Sequence, residues 1–354
     1  MEKPKLSPIE MGFLLWNNLE KLPRKTNPVF NKEFYYQSPS RVNLGILDFT
    51  EMRPNLDGKH CNSGSIGFGI GLYSKVKIKL TKEPDIVFKS KENSNLLNHF
   101  AVIMKKITDY EGGFIIEAEP NSYSHIGLGS TASLTCALVN VINIALGNPF
   151  NERELVKIEA FNYVEEGGDG NLYGGQSTGL SGWVSLRGGF IITTAEAELV
   201  AREEIPTHYK VVIGISSLKT KGVAGSDIEL PVLERWSFHD RINSAKICHW
   251  TLMKMIPALK AKDFKQVGIL VWEMLIAGTK GVPAILAFGS VKPLECLLEL
   301  KQTGAEMVFM SSVGPSLVAL TSEDKIDAIK NIYKKHNYQL LVLEVDNKGG
   351  QQIT

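Results

Sequence analysis

No feature of this sequence constrains its fold more than the stretch from Pro120 to Ala145. Gly127 and Gly129 sit among Ser124, Ser130, Thr131 and Ser133, and the stretch runs unbroken into a helical repeat. In that repeat Ala132, Leu134, Ala137, Leu138, Val141, Ile142 and Ala145 fall at helical spacing, and Gly147 and Pro149 stop it. Glycine allows a positive φ and a close approach of backbone to ligand. The first helical turn adds N–H groups without intrahelical partners and the positive end of a dipole. Together these features make a site for a diphosphate. A ligand-free glycine turn ahead of a helix has the same bare pattern. No lysine follows Gly129, so this is not a Walker A loop.

Around this centre the pattern alternates between strand and helix. Strand-like segments begin near Phe34 and continue through Leu44. They recur from Ile66 to Leu80, where polar and apolar residues alternate, and from Gly113 to Ala118. A helix opens at Asn151 with Glu154 three residues on, a variant of the capping box, and its pattern runs through Val164. Gly167 to Gly189 is glycine-rich, and Phe190 to Ile192 reads as a strand. Beyond Pro206 come a strand from Val211 to Ser216 and helical segments between Ser244 and Leu275. Strands follow at Glu306 to Met310 and Leu317 to Leu320, then a helix from Ser322 and a last strand from Gln339 to Glu344. Such a mixture predicts an α/β or α+β body. Residues 1–30 read as an amphipathic helix and a proline-containing linker packed on that body.

With 354 residues, 44% apolar and 22% charged, the chain can bury a large core without staples. Its formal net charge of +1 excludes a global field for nucleic acid or an anionic membrane, so any phosphate binding is local. Cys61, Cys136, Cys248 and Cys296 are widely separated and lack zinc-ligand spacing, which fits reduced thiols. There is no signal-peptide pattern at the start and no apolar run of membrane-spanning length. These features predict a cytoplasmic protein with no nucleic-acid or membrane partner.

Three further motifs offer chemistry. In Ser38-Pro39-Ser40-Arg41-Val42-Asn43-Leu44, alternation puts Arg41 and Asn43 on one face of a strand, and Asp48 follows its end. Arg41 can pair bidentately with phosphate or carboxylate. Gly174 to Gly182, with Gln176, Ser177 and Thr178, has the glycine and hydroxyl content of a ligand-side loop. Ser311, Ser312 and Gly314 make a tight turn between two strands. Taken singly, each also reads as an ordinary strand, loop or turn.

In this order and spacing the motifs resemble the three signature motifs of the GHMP superfamily, which includes galactokinase and the homoserine, mevalonate and phosphomevalonate kinases. The resemblance covers roughly residues 34–345. It implies an α+β fold of two domains, with an N-terminal α/β domain containing a left-handed βαβ crossover and a C-terminal ferredoxin-like domain. The corresponding boundaries are an extension at 1–30, the N-terminal domain at 31–205 and the C-terminal domain at 206–354. Many of the kinases carry an acid in a motif that matches Thr178-Gly179-Leu180-Ser181 here, and Ser181 stands in its place.

Other details resemble the β-ribofuranosylaminobenzene 5′-phosphate synthases and related C-nucleoside synthases. They are Pro39-Ser40-Arg41, Gly188-Gly189-Phe190-Ile191, Ser311-Ser312 with Gly314-Pro315, and Ile256-Pro257-Ala258-Leu259 ahead of Asp263-Phe264. Asp48 matches only loosely, and Lys59, His60 and Asn62 lie in a segment longer than that family's. This resemblance implies transfer of 5-phosphoribosyl from phosphoribosyl diphosphate (PRPP) to an aromatic or heteroaromatic carboxylic acid, with release of CO2 and diphosphate. It implies Mg2+ as cofactor and a homodimer.

On this basis Ser124, Gly127, Leu128, Gly129, Ser130 and Thr131 are expected to bind diphosphate. Arg41, Asp48 and His125 are the expected catalytic residues. Asn43, Asp57, Gln176, Ser177, Thr178, Ser311, Ser312 and Gly314 are expected to line the substrate, with Ser130 and Asp48 as metal contacts. The alternatives are an ATP-dependent small-molecule kinase of the same superfamily and a catalytically silent ligand-binding homologue.

Overall fold

A computed structural model describes residues 22–51, 63–89, 94–123, 126–166, 171–175, 177–216, 237–287, 290–312, 314 and 316–353. In chain order the first half comprises β1 (Glu33–Ile46), β2 (Ser65–Thr81), β3 (Ile86–Phe88), α1 (Ser94–Thr108), β4 (Gly113–Glu119), α2 (Ser130–Ala145) and α3 (Glu152–Phe161). It continues with β5 (Val164–Glu166), β6 (Leu172–Gly174), α4 (Leu180–Arg187), β7 (Phe190–Thr193) and β8 (Leu199–Glu203). The second half comprises β9 (Tyr209–Ser216), α5 (Phe238–Trp250), α6 (Ile256–Lys260), α7 (Phe264–Ala277), α8 (Val282–Ala287) and α9 (Lys292–Gln302). It ends with β10 (Met307–Met310), β11 (Leu317–Ser322), α10 (Ile326–Lys335), β12 (Tyr338–Asp346) and β13 (Gln351–Ile353).

β1 and β2 are long antiparallel partners and form the spine of the first half. β1 carries β13 on its other edge, β2 carries β4, and β3 pairs with β4 in parallel. Pro39 is tolerated inside β1 because the register shifts there, a bulge that needs no donor from its nitrogen. α1 and α2 cover this sheet, burying Leu96, Phe100, Ile103 and Met104 against Leu134, Leu138 and Ile142. Burying a side chain such as Phe100 contributes about 2–3 kcal/mol. α2 is buried on almost every side, which accounts for its lack of a polar stripe.

In the second half four strands lie in the order β10-β11-β9-β12, each antiparallel to its neighbour. The connection from β9 to β10 runs through helices, β10 and β11 form a hairpin, and α10 leads to β12. This is the ferredoxin-like arrangement. β12 also pairs with β2 at Val345–Ile70 and Asp346–Gly69, so the strands of both halves form one continuous sheet. Among the described residues no helix is long and apolar enough to cross a membrane.

Several elements differ from the sequence reading. α3 does not run through Val164. It stops at Phe161, where the Asn162 side chain donates to the Ile158 carbonyl, and Val164–Glu166 pairs with Leu172–Gly174 instead. Its N-terminus is as expected: Asn151 and Glu154 form a full capping box. Part of the glycine-rich stretch is helical, since Leu180–Arg187 forms α4 with Gly179 at φ 74 before it. The stretch 94–108 is also a helix. Of the N-terminal extension, Arg24, Asn27 and Val29 donate backbone bonds to the carbonyls of Ile107, Leu146 and Ala145.

Candidate functional site

Three distant segments are laced together beside the N-terminus of α2. The first is β1, the second the loop 126–129, and the third the turn between β10 and β11. The Ser311 hydroxyl donates to the Gly127 carbonyl at 2.7 Å and accepts from the Asn43 N–H at 3.1 Å. Ser316 Oγ donates to the Ile126 carbonyl at 2.6 Å. The Ser312 N–H donates to the Asn43 carbonyl at 3.0 Å, and the Arg41 N–H to the Leu128 carbonyl at 3.2 Å. The turn closes on itself through Gly314 N–H to the Ser311 carbonyl at 2.9 Å.

Two glycines make this close approach possible. Gly127 has φ 87, and a Cβ there would lie 2.5 Å from the Ser311 carbonyl oxygen. Gly129 has φ 71, and a Cβ there would lie 3.2 Å from the Arg41 guanidinium carbon. Gly129 is also the residue that precedes α2. No side chain caps that helix and no acid occupies its first turn, which leaves its positive end suited to an anion. Ser130 is buried and Thr131 half-buried at this end, and Leu128 packs into the core beneath.

Beside the loop lies a cleft lined by Arg41, Asn43, Ser177, Thr178, Ser181 and Lys280. Arg41 donates from Nε to Ser181 Oγ at 3.3 Å and from Nη1 to the Gly127 carbonyl at 3.2 Å. It therefore spans from the glycine loop to the first turn of α4. Thr178 Oγ1 shares a 2.5 Å hydrogen bond with Ser65, and Ser177 Oγ accepts from the Gly179 N–H. Among the described residues no carboxylate lines the cleft. Lys280, in the Gly278–Gly281 loop after α7, escaped the sequence reading. A lysine flanked closely by glycines just past a helix was the available signal.

Adjacent to the cleft is an acid that the sequence reading also missed. Glu159 on α3 is buried, and neither of its carboxylate oxygens has a well-formed hydrogen bond. Burial pushes its carboxyl up to about 8, against the opposing charge of Arg41 and the nearby Ser177 hydroxyl. At neutral pH it is largely protonated.

Asp48 is placed differently from the other expected residues. Its Oδ1 accepts from both the N–H and the hydroxyl of Thr50, fixing the turn after β1, and it is not among the residues lining the cleft. The described residues contain no group of three His, Cys, Asp or Glu side chains that could hold a metal ion. Among them the Ser130 hydroxyl, at the start of α2, would be a protein contact for a magnesium ion carried in on a diphosphate. Ser124, His125, Asp57 and Gln176 lie outside the described residues.

Residues 95–173 match the GHMP kinases N-terminal domain. The chain superposes on the crystal structure of homoserine kinase from Cytophaga hutchinsonii with a TM-score of 0.60 at 18% identity, covering 92% of this chain and 100% of that one. The chain has the GHMP fold. In sequence it is similar to the β-ribofuranosylphenol 5′-phosphate synthase of Archaeoglobus fulgidus, 25% identical over 88% of this chain and 97% of that protein. The protein of the same name from Methanothermobacter thermautotrophicus is 22% identical over 82% of this chain and 89% of its own length. In the GHMP fold of this chain, the Ser311–Ser316 turn is bonded to the glycine loop and the loop to Arg41, and of these Arg41 lines the cleft.

Proposed function

We propose that this chain transfers the 5-phosphoribosyl group of PRPP to the ring of an aromatic carboxylic acid, a phenolic one by analogy with the names of its relatives. The observation that carries this reading is the Arg41–Ser181 contact. At the position where many GHMP kinases hold an acid, the cleft has a hydroxyl bound to a guanidinium, and the polar part of its described lining is hydroxyls, an amide and two cations, beside the aliphatic Ile46, Ala132 and Leu180. Such a lining orients anionic substrates and stabilises developing negative charge. It does not supply the carboxylate base of a phosphoryl transfer.

In the proposed reaction the bond from ribosyl C1 to diphosphate breaks, and its electron pair leaves with the diphosphate. The ring carbon bearing the carboxylate attacks C1 with a π pair and forms the C–C bond. The bond to the carboxylate then breaks, CO2 departs, and its electron pair restores aromaticity. The first-turn N–H groups of α2 and the Ser130 hydroxyl hold the diphosphate and stabilise its growing charge. The Ser130 hydroxyl would help hold a magnesium ion bound with the diphosphate, which would supply further charge neutralisation. Arg41, pinned between Gly127 and Ser181, orients an anionic group. Reduced cysteines at Cys136, Cys248 and Cys296 fit the cytoplasmic setting expected of this activity.

The reaction is tested by incubating the protein with PRPP, magnesium and 4-hydroxybenzoate labelled in its carboxyl group. Labelled CO2 should appear in step with diphosphate. ATP turnover without PRPP-dependent CO2 would instead support a kinase, the reading favoured by the match to the kinase N-terminal domain.

A further inference from the structure

Diphosphate on the glycine loop leaves two features of the cleft unused. One is Lys280, which lines the cleft together with Arg41. The other is Asn43, whose side chain is only 6% exposed and whose Oδ1 has no hydrogen-bond partner. A buried acceptor without a donor carries a desolvation cost, about 1–3 kcal/mol, that a ligand hydroxyl would relieve. Two cations lining one cleft give it a positive potential, and an anion bound there gains charge-assisted hydrogen bonds.

The backbone that carries Lys280 is fixed by one buried carboxylate. Asp240 on α5 is 1% exposed and accepts from the Thr279 N–H at 2.5 Å and from the Phe49 N–H at 2.6 Å. Phe49 lies in the turn directly after β1, the strand of Arg41 and Asn43. Asp240 therefore ties the strand bearing one cation to the loop bearing the other, across the two halves of the molecule.

We propose that Arg41, Lys280 and Asn43 form an anion subsite, separate from the diphosphate contacts, for a carboxylate or phosphate on a molecule that also carries a hydroxyl. Asp240 is its positioning residue. Within the phosphoribosyl-transfer reading, on which the choice of ligands rests, the carboxylate belongs to the aromatic acceptor and the phosphate to the 5′ end of PRPP.

The test is calorimetric binding of 4-hydroxybenzoate and of ribose 5-phosphate, each to wild type, Lys280→Ala and Asp240→Asn. Lys280→Ala should weaken one of the two by about tenfold or more, the scale of a lost charge-assisted contact. Asp240→Asn should weaken the same ligand and spare the other. Loss confined to 4-hydroxybenzoate assigns the subsite to the acceptor, and loss confined to ribose 5-phosphate assigns it to the sugar phosphate. Unchanged binding of both by Lys280→Ala, or no binding of either by wild type, overturns the subsite. Equal weakening of both by Asp240→Asn overturns its positioning role. Should Asp240→Asn fail to fold, Lys280→Ala carries the test by itself. PRPP turnover by wild type is measured alongside. Turnover with Lys280→Ala binding unchanged removes the subsite and keeps the transfer, and absent turnover with Lys280-dependent binding does the reverse.

Discussion

Glu159 has one of the most perturbed environments beside the cleft, and its effect on stability has a definite sign. The folded protein holds its proton up to about pH 8, whereas the unfolded chain releases it near the ordinary value of 4.5. Stability from this group is therefore full below pH 4.5 and falls as pH rises toward 8, by about 1 kcal/mol per unit. His99 acts oppositely. Burial pushes it down to about 4 from 6.5, so its contribution is full above 6.5 and is lost as pH falls toward 4. The two offset each other between 4.5 and 6.5, leaving a net fall from these groups between 6.5 and 8. Urea denaturation of Glu159→Gln at pH 6.5 and pH 8 should show that fall reduced relative to wild type. An identical slope would mean that Glu159 is ionised in the fold. Gly127 gives a second prediction at this scale. Alanine there would need a positive φ and would push on the Ser311 carbonyl, a cost of about 1–2 kcal/mol or more. Diphosphate affinity of Gly127→Ala should fall about tenfold, read by calorimetry with inorganic diphosphate.

Among the elements, α2 is held from behind by a network of buried hydroxyls. Ser133 Oγ donates to the Ser130 carbonyl at 2.9 Å and lies 2.7 Å from Ser74 Oγ, while Asn121 Nδ2 donates to Ser40 Oγ at 2.9 Å. These bonds fix the first turn of α2 against β1 and β2. Ser133→Ala removes the 2.7 Å partner of the buried Ser74 hydroxyl and leaves it only the contacts from the Asn121 N–H and Nδ2 at 3.3 and 3.4 Å, so it should cost about 1 kcal/mol in unfolding free energy. A loss below measurement error would show that the network rearranges. The strength of the sequence signal followed the physics of each element. β1, β2 and α2 were legible because alternation or helical spacing was long and stopped cleanly. α1 had the signal, in the helical spacing of Leu96, Phe100, Ile103 and Ile107, all of them buried. α4 offered no stripe at all, because Leu180, Ser181, Gly182, Trp183, Val184 and Ser185 are all buried. The end of α3 was misread because Val164 continues the helical spacing although it pairs in a strand.

Across the whole molecule, the site is made by joins between segments far apart in sequence. Ser311 reaches β1 and the glycine loop, and Asp240 reaches the turn after β1 and the loop of Lys280. Arg41, Gly127, Gly129 and Ser311 were legible as motifs because each carries its own local chemistry. Lys280 and Glu159 were not, because their importance comes only from what folding places beside them. With a near-neutral total charge of +1, any attraction of a phosphate chain would depend on these local cations and the end of α2. The most direct measurement is calorimetric binding of PRPP against a non-hydrolysable ATP analogue, with magnesium present. Phosphoribosyl transfer requires PRPP to bind at micromolar concentration and the nucleotide not to bind. Nucleotide binding without PRPP binding would contradict it and leave a kinase that uses an acid other than the one Ser181 replaces.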